Sequence, residues 1–287
     1  MKWEDFRGSD NVVDVRGSGG GGMIGGGGLG IGAMIILGVI GYFLGIDPRI
    51  LIGGATVLTG GMGQSQPAPQ SSGPPTDETG RFVSAVLAQT EDVFKEILPA
   101  QKGVRYVAPK LVLFSGATRS ACGSAQSAMG PFYCPLDQRV YLDTAFFQDM
   151  QRKLGGGGDF AYAYVIAHEV GHHVENVLGI LPKVQEAQQQ VSQQQANALS
   201  VRVELMADCL AGVWAHHAEK KWRILQDGDL QEAMSTASAI GDDRLQKSGR
   251  GYAVPDSFTH GSSAQRMQWL KVGLQQGNID ACNTFRR

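Results

Sequence analysis

The most constraining feature of the sequence is the five-residue segment His168-Glu169-Val170-Gly171-His172. It follows a run of alanine, valine, isoleucine and tyrosine that is typical of a helix in a protein interior. Residues four apart lie on one face of an α-helix, so both histidines can turn a ring nitrogen toward one ion. Glu169 lies about 100° round the helix from His168, where it can reach a water molecule on that ion without being a ligand. The segment therefore predicts a metal site on a helix.

A catalytic zinc ion needs a third protein ligand, with one position left for water. The best candidate is Glu204, which shares a later apolar helix with Asp208, four residues further on. Two acids on the apolar side of a helix are costly unless they are paired or bind a metal. We expect Asp208 to accept a hydrogen bond from a ligand histidine, preferably His168, and so to orient its ring. The alternatives are Asp208 as the ligand in place of Glu204, or an acid pair that faces solvent.

Three further polar residues are candidates for roles near this site. His260 precedes the last predicted helix and could donate a hydrogen bond to the oxyanion of a tetrahedral intermediate, or be a surface residue or helix cap. Arg266 could act on the same oxyanion or anchor the loop. His173 is five residues from His168 and points about 140° away from it, so we expect it to pack against or support the ligands.

A glycine-rich, uncharged segment divides the chain into parts. Residues 23–46 carry no charge and are long enough for a membrane-spanning helix, which needs ~20 apolar residues. We interpret them as a retained transmembrane anchor between a glycine-rich leader, residues 1–22, and a linker, residues 47–78, that contains Pro67, Pro69, Pro74 and Pro75. The alternative is a buried glycine-rich core helix. The folded domain is then expected to cover residues 79–287.

The charges on either side of the span predict its orientation. Lys2, Arg7 and Arg16 precede the span and only Arg49 follows closely, which places the leader in the cytoplasm and the domain outside it. Four cysteines, an even number, are compatible with two disulfides in an oxidising compartment or with four reduced thiols. The net charge of −2, without any basic stripe, gives no reason to expect a nucleic-acid partner.

The pattern of residues 79–287 is that of an α+β domain that is mainly helical and has a small sheet. Apolar residues at helical spacing predict helices over residues 79–98, 160–178 and 202–217. Short apolar runs predict strands at residues 110–114 and 139–142.

At the two predicted ligand helices the chain resembles the gluzincin branch of zinc peptidases, with H-E-x-x-H on one helix and E-x-x-x-D on a later one. The glycine-rich leader and the segments HEVGHH, ELMADCLAGVWAHH and FTHGSSAQR together resemble the bacterial "putative neutral zinc metallopeptidase" family, also called YpfJ-like, over nearly the whole chain. The resemblance implies a zincin-like domain outside the cytoplasmic (inner) membrane, on a single transmembrane helix. It implies Zn²⁺ bound by His168, His172 and Glu204, with Glu169 as the base and, in a looser match, His260 as a further catalytic residue.

The resemblance also implies two structural features. It favours disulfides between Cys122 and Cys134 and between Cys209 and Cys282, which is one of three possible pairings. Peptidases similar to this class bind extended substrate along an edge strand upstream of the motif helix, and residues 139–142 are the natural candidate for that strand.

These observations favour a zinc-dependent peptidase that acts on proteins or peptides in the cell envelope. The presence of Glu169 favours catalysis, because a degenerate site would often lose its base first. The alternatives are a zinc-stabilised, non-catalytic binding or assembly module and a hydrolase of non-peptide amides.

Overall fold

The computed structural model describes residues 1–16, 74–126, 130–154 and 157–286. The predicted anchor, residues 23–46, and most of the predicted linker lie outside the described residues. Within the ranges that are described, no helix has both the length and the apolar character needed to cross a bilayer.

The described residues form an α+β fold that is mainly helical. The strands are β1 (Val12–Asp14), β2 (Lys110–Phe114), β3 (Ala117–Ser120), β4 (Gly123–Gln126), β5 (Phe132–Cys134) and β6 (Arg139–Asp143). The helices are α1 (Glu78–Lys102), α2 (Ala145–Asp149), α3 (Asp159–Val177), α4 (Ile180–Gln188), α5 (Gln193–Trp222), α6 (Asp229–Ala239), α7 (Asp242–Arg250) and α8 (Ser263–Gln276).

The main sheet has the strand order β1-β2-β6-β5. Strands β1, β2 and β6 are parallel, whereas β5 is antiparallel to β6. The expectation that residues 139–142 form an edge strand is therefore wrong, because β6 is paired on both sides. The edge of this sheet next to the motif helix is β5, a strand of three residues, too short for alternation of apolar residues to reveal it.

Helix α3, which carries the histidine motif, is buried on nearly all sides. Phe160, Tyr164, Ala167 and Val170 are each at most 1% exposed, so the helix lies in the middle of the core. It contacts α1, α5, α6 and the strands β5 and β6. This central position explains why the helix is apolar all round except at its functional residues.

Residues 1–16, called the N-terminal arm from here on, pack against the domain and add strand β1 to its sheet. Trp3 is 9% exposed, contacts the Phe82 ring edge-on at 5.4 Å between ring centroids, and donates a hydrogen bond from Nε1 to Asp159 Oδ2 at 3.2 Å. Val12 pairs with Leu111 in β2. These residues were expected to be part of a separate leader, but their apolar side chains complete the core of the domain.

The structure pairs the cysteines as the resemblance implies. The Cys122–Cys134 disulfide joins the turn between β3 and β4 to the end of β5. The Cys209–Cys282 disulfide joins α5 to a 3-10 turn near the C-terminus, Ile279–Cys282.

Candidate metal centre

The three predicted ligands converge from two helices. His168 and His172 lie one turn apart on α3, and Glu204 faces them from α5. Glu204 Oε2 lies 3.2 Å from His168 Nε2, and its Oε1 lies 3.5 Å from His172 Nε2. One ligand atom from each residue lies within 4.8 Å of the others, so a single ion can contact all three.

The far side of each histidine ring contacts a carboxylate. His168 Nδ1 lies 2.9 Å from Asp208 Oδ1, and His172 Nδ1 lies 2.9 Å from Glu175 Oε2. Burial raises the pKa of Glu175 to about 7, although His172 opposes this effect. An ionised carboxylate only accepts hydrogen bonds, so an Nδ1 that faces one carries a proton and donates it. In the neutral tautomer that is protonated at Nδ1, Nε2 presents its lone pair to the centre, and this is the form that a zinc ligand needs. The donor set of two imidazoles and one carboxylate fits Zn²⁺.

Asp208 is buried and saturated with donors. Its Oδ1 accepts a hydrogen bond from Tyr164 Oη at 2.6 Å, and Arg266 donates to both carboxylate oxygens at 2.9 Å. Burial acts to raise the pKa of Asp208, but the charges of Arg266 and His168 outweigh it and lower the pKa. Arg266 thus holds Asp208 ionised, and its guanidinium is committed to this contact.

The charges around the two histidines favour a positive charge at the centre. Burial acts to lower the pKa of His168, but Asp208 and Glu204 outweigh it and raise the pKa to about 8. The pKa of His172 is raised well above its ordinary value against the same effect of burial, because of Glu204 and Glu175. A pocket that stabilises an imidazolium proton in this way also stabilises a cation bound in its place.

Glu169 lies on the same helix as the histidines and is only 7% exposed. Among the described residues, no hydrogen-bond donor engages its carboxylate. Burial raises its pKa, so its ionised form is a stronger base than an ordinary glutamate. A free, basic carboxylate beside the ligands is what proton transfer to and from a reacting group requires.

His260 is held by a residue that was not a sequence candidate. Asp242 Oδ1 lies 3.1 Å from His260 Nδ1, while Asp242 Oδ2 accepts hydrogen bonds from the backbone N–H groups of Thr259, His260 and Gly261. Burial acts to lower the pKa of His260, but Asp242 and Glu204 outweigh it and raise the pKa. The charge of Glu204 thus acts on His260, as it does on the two histidine ligands.

Gly171, inside the motif, lets the two ligand helices approach closely. A Cβ atom at this position would lie 3.0 Å from the carbonyl oxygen of Ala207 and 3.1 Å from its Cα. Ala207 lies between Glu204 and Asp208 on α5, so the contact sets the spacing between that carboxylate pair and the histidines.

His173 joins the motif helix to the edge strand β5. Its Nε2 donates a hydrogen bond to Val107 O at 2.6 Å, so its Nδ1 is bare and accepts one from Tyr133 Oη at 3.0 Å. Asn176 Nδ2 also donates to Tyr133 Oη at 3.0 Å. Tyr133, the middle residue of β5, is therefore fixed to α3 by two hydrogen bonds.

Sequence reasoning missed Glu175, Tyr164 and Asp242. The spacing of two of them held a usable signal, since Glu175 is three residues after His172 and Tyr164 is four before His168. Asp242 held none, because its partner comes from a loop 18 residues further on.

The fold and the site together define the class of H-E-x-x-H proteins with a glutamate from a second helix as the third metal-ligand candidate. The family model described as "putative neutral zinc metallopeptidase" matches residues 1–285, so the chain belongs to this family.

The relatives of this chain include proteins of Escherichia coli and Mycobacterium tuberculosis. "Uncharacterized protein YpfJ" of Escherichia coli K12 is 49% identical over 292 residues, which cover 99% of each chain. "Uncharacterized protein Rv2575" of Mycobacterium tuberculosis H37Rv is 42% identical over 222 residues, which cover 72% of each chain. No solved structure matches the chain significantly.

Proposed function

We propose that the protein is a zinc-dependent peptidase that hydrolyses peptide bonds. The observation that carries this proposal is the combination of a three-residue metal-ligand set with an unengaged, buried carboxylate, Glu169, beside it. A site that only stabilised the fold would be closed by a fourth protein ligand and would need no base.

His168, His172 and Glu204 would hold Zn²⁺. When bound, the ion polarises the substrate carbonyl and lowers the pKa of water. Glu169 takes the proton of the attacking water and later passes it to the leaving amine. Asp208 and Glu175 accept the hydrogen bonds of the two Nδ1 atoms, which turns each Nε2 toward the ion.

His260 is proposed to stabilise the oxyanion that forms on the substrate carbonyl. Asp242 holds its Nδ1, which leaves Nε2 as the atom able to donate, and the raised pKa favours the charged form, in which both ring nitrogens carry a proton. A cationic donor is more effective at an oxyanion than a neutral one.

The substrate is proposed to bind as an extended strand along β5. This strand replaces residues 139–142 as the candidate, because β5 lies at the edge of the sheet and is hydrogen-bonded to the motif helix through Tyr133. Peptides that add to a sheet edge are bound through their backbone, so the site would accept many sequences.

The domain is proposed to act in the bacterial cell envelope, held at the cytoplasmic membrane through residues 23–46. Two disulfide pairs support an oxidising compartment outside the cytoplasm. The length and lack of charge of residues 23–46 support contact with the bilayer.

The test uses the full chain purified in detergent, with bound zinc measured by mass spectrometry and cleavage measured on a peptide library. We expect stoichiometric zinc and cleavage in the wild type, and zinc with cleavage reduced at least 100-fold in Glu169→Gln. Glu186→Gln, an exposed change on α4, is the matched control and should cleave normally. Equal cleavage by Glu169→Gln, or a zinc-loaded wild type that cleaves nothing, would reject the peptidase assignment.

A further inference from the structure

The N-terminal arm is held by polar as well as apolar contacts. Arg7 forms ion pairs with Asp92 and Glu91 of α1, at 2.6 and 3.0 Å. Glu91 also accepts hydrogen bonds from Ser9 Oγ and from Asn11 Nδ2. Glu91 is 8% exposed, so a buried carboxylate of the domain is satisfied by three side chains of the arm.

The backbone of the arm is built into the domain at both ends. Lys2 N donates to Ile224 O, just after α5, at 2.8 Å. At the other end, Leu111 N donates to Asn11 O and Val15 N donates to Leu113 O, each at 2.9 Å, as β1 pairs with β2. Detaching the arm would leave backbone N–H and C=O groups of β2 without hydrogen-bond partners and would expose Trp3 and Val12.

The chain leaves the arm and returns to the domain at one place. Arg16, the last described residue of the arm, forms an ion pair with Asp77, which caps the N-terminus of α1, at 2.5 Å. Residue 16, where the arm ends, and residues 74–77, where the described chain resumes, therefore lie close together on the same folded domain.

We infer that the N-terminal arm and the catalytic domain occupy the same compartment. A single crossing by the residues between them would separate the two by a hydrocarbon layer about 30 Å thick, which the direct contacts of the arm exclude. The single-pass orientation predicted from the sequence is thereby replaced: a chain that enters the membrane after the arm must come back to the same side before α1. If the arm of one copy packed instead against the domain of a second copy, the arm and the domains would still have to lie on the same side of the membrane.

The charge count behind the single-pass prediction has a structural explanation. Two of the three basic residues that precede the predicted span are engaged by acids of the folded protein, Arg7 by Asp92 and Arg16 by Asp14 and Asp77. Their positive charges thus have a role in the packing of the arm, which is independent of any role in membrane orientation.

Site-directed labelling in cells tests the inference. Asp10→Cys and Asp5→Cys introduce thiols at exposed positions of the arm, and Glu186→Cys introduces one on an exposed face of the domain. The four native cysteines are paired in the structure, and the wild-type chain is labelled beside each variant so that only the additional signal is assigned to the new thiol. Each variant is labelled with a membrane-impermeant maleimide in intact and permeabilised cells beside marker proteins of the cytoplasm and the periplasm.

We expect the arm and domain thiols to show the same labelling pattern. Labelling of both in intact cells supports the shared compartment and the envelope location. Protection of both until permeabilisation supports the shared compartment but rejects the envelope location of the proposed function. Labelling of Glu186→Cys with protection of both arm thiols, or the reverse, overturns the inference.

Discussion

Each histidine of the centre is backed by its own acid, and the two acids are held differently. Asp208 is fixed by Tyr164 and Arg266 as well as by His168, so three side chains from two helices, α3 and α8, determine its position. Glu175 is fully buried and contacts His172 through Oε2, while its Oε1 has no hydrogen-bond partner among the described residues. The His168 side of the centre is therefore more rigid than the His172 side.

Neutralising either acid should weaken zinc binding. In Asp208→Asn and Glu175→Gln the neutral amide no longer attracts positive charge at the centre. It can also turn its NH₂ group toward the ring, which removes the acceptor of the Nδ1 proton. We expect zinc affinity to fall about 10–100-fold in each variant. Competition with a chromophoric chelator measures this, with Glu186→Gln as the control. Wild-type affinity in both variants would show that the carboxylates do not support the ligands.

The raised pKa values of the histidines predict how zinc binding depends on pH. Zinc binds the neutral imidazole, so protons compete with it below the pKa of His168, about 8. They also compete at His172, whose pKa is raised well above its ordinary value. Zinc affinity should rise as pH increases from 6 to 8, and binding at pH 7 should release protons. Calorimetry in two buffers of different ionisation enthalpy counts them. Affinity independent of pH over this range would contradict the predicted charge state of the centre.

At the scale of elements, the hydrogen bonds of Tyr133 align the edge strand β5 with the motif helix. Tyr133→Phe keeps the packing of the ring but leaves His173 Nδ1 and the Asn176 amide without their partner. We expect a loss of about 1–3 kcal/mol in the free energy of unfolding. Zinc affinity should stay unchanged, since no ligand contacts Tyr133.

The same variant distinguishes a positioning role from a purely structural one. If β5 binds substrate, KM for a peptide should rise in Tyr133→Phe more than kcat falls. Tyr141→Phe, on the neighbouring strand β6, removes a hydroxyl bonded to Asp137 and is the matched control. Equal KM in the two variants would argue against β5 as the substrate strand.

Two glycines control the approach of helices around the centre. At Gly171 an alanine Cβ meets Ala207 at 3.0 Å, a contact that a small shift of α3 can relieve. Alanine also favours a helix over glycine by up to about 1 kcal/mol, so Gly171→Ala should unfold near the wild-type urea concentration. The shift of α3 should, however, weaken zinc binding several-fold.

At Gly212 an added Cβ would overlap the backbone of α8 at Leu270, so Gly212→Ala should lose about 1–3 kcal/mol of stability. Equal stability losses would contradict this distinction.

The sequence predicted the main helices from their periodicity, and it predicted strands β2 and β6 from short apolar runs at residues 110–114 and 139–142. The helices that carry His168 and Glu204 were predicted because their apolar residues recur with the helical period, and the i, i+4 spacing of each motif follows from the same geometry. Strand β5 was not predicted, because three residues carry too little pattern. Asp242 was not predicted either, because its contact with His260 depends on how a loop folds and not on spacing along one helix.

At the scale of the whole molecule, the N-terminal arm was the largest difference from the sequence-based prediction. A glycine run after Arg16 made residues 1–22 resemble a detached leader. Strand β1 has three residues, and its partner β2 lies about a hundred residues further along the chain, so neither local propensity nor a turn signal marks the pairing. Only the tertiary structure shows that Trp3 and Val12 are core residues.

The arm should therefore contribute to the stability of the domain. Trp3 packs on Phe82 and donates a hydrogen bond to Asp159, the first residue of the motif helix. Trp3→Ala removes a buried aromatic ring and should lower the free energy of unfolding by about 3–5 kcal/mol. Denaturant unfolding followed by circular dichroism measures it, with Asp5→Ala, an exposed change in the same arm, as the control. If Trp3→Ala unfolds at the same denaturant concentration as Asp5→Ala, the arm is not part of the cooperative domain, because the loss of a buried side chain from that domain would lower the free energy of unfolding.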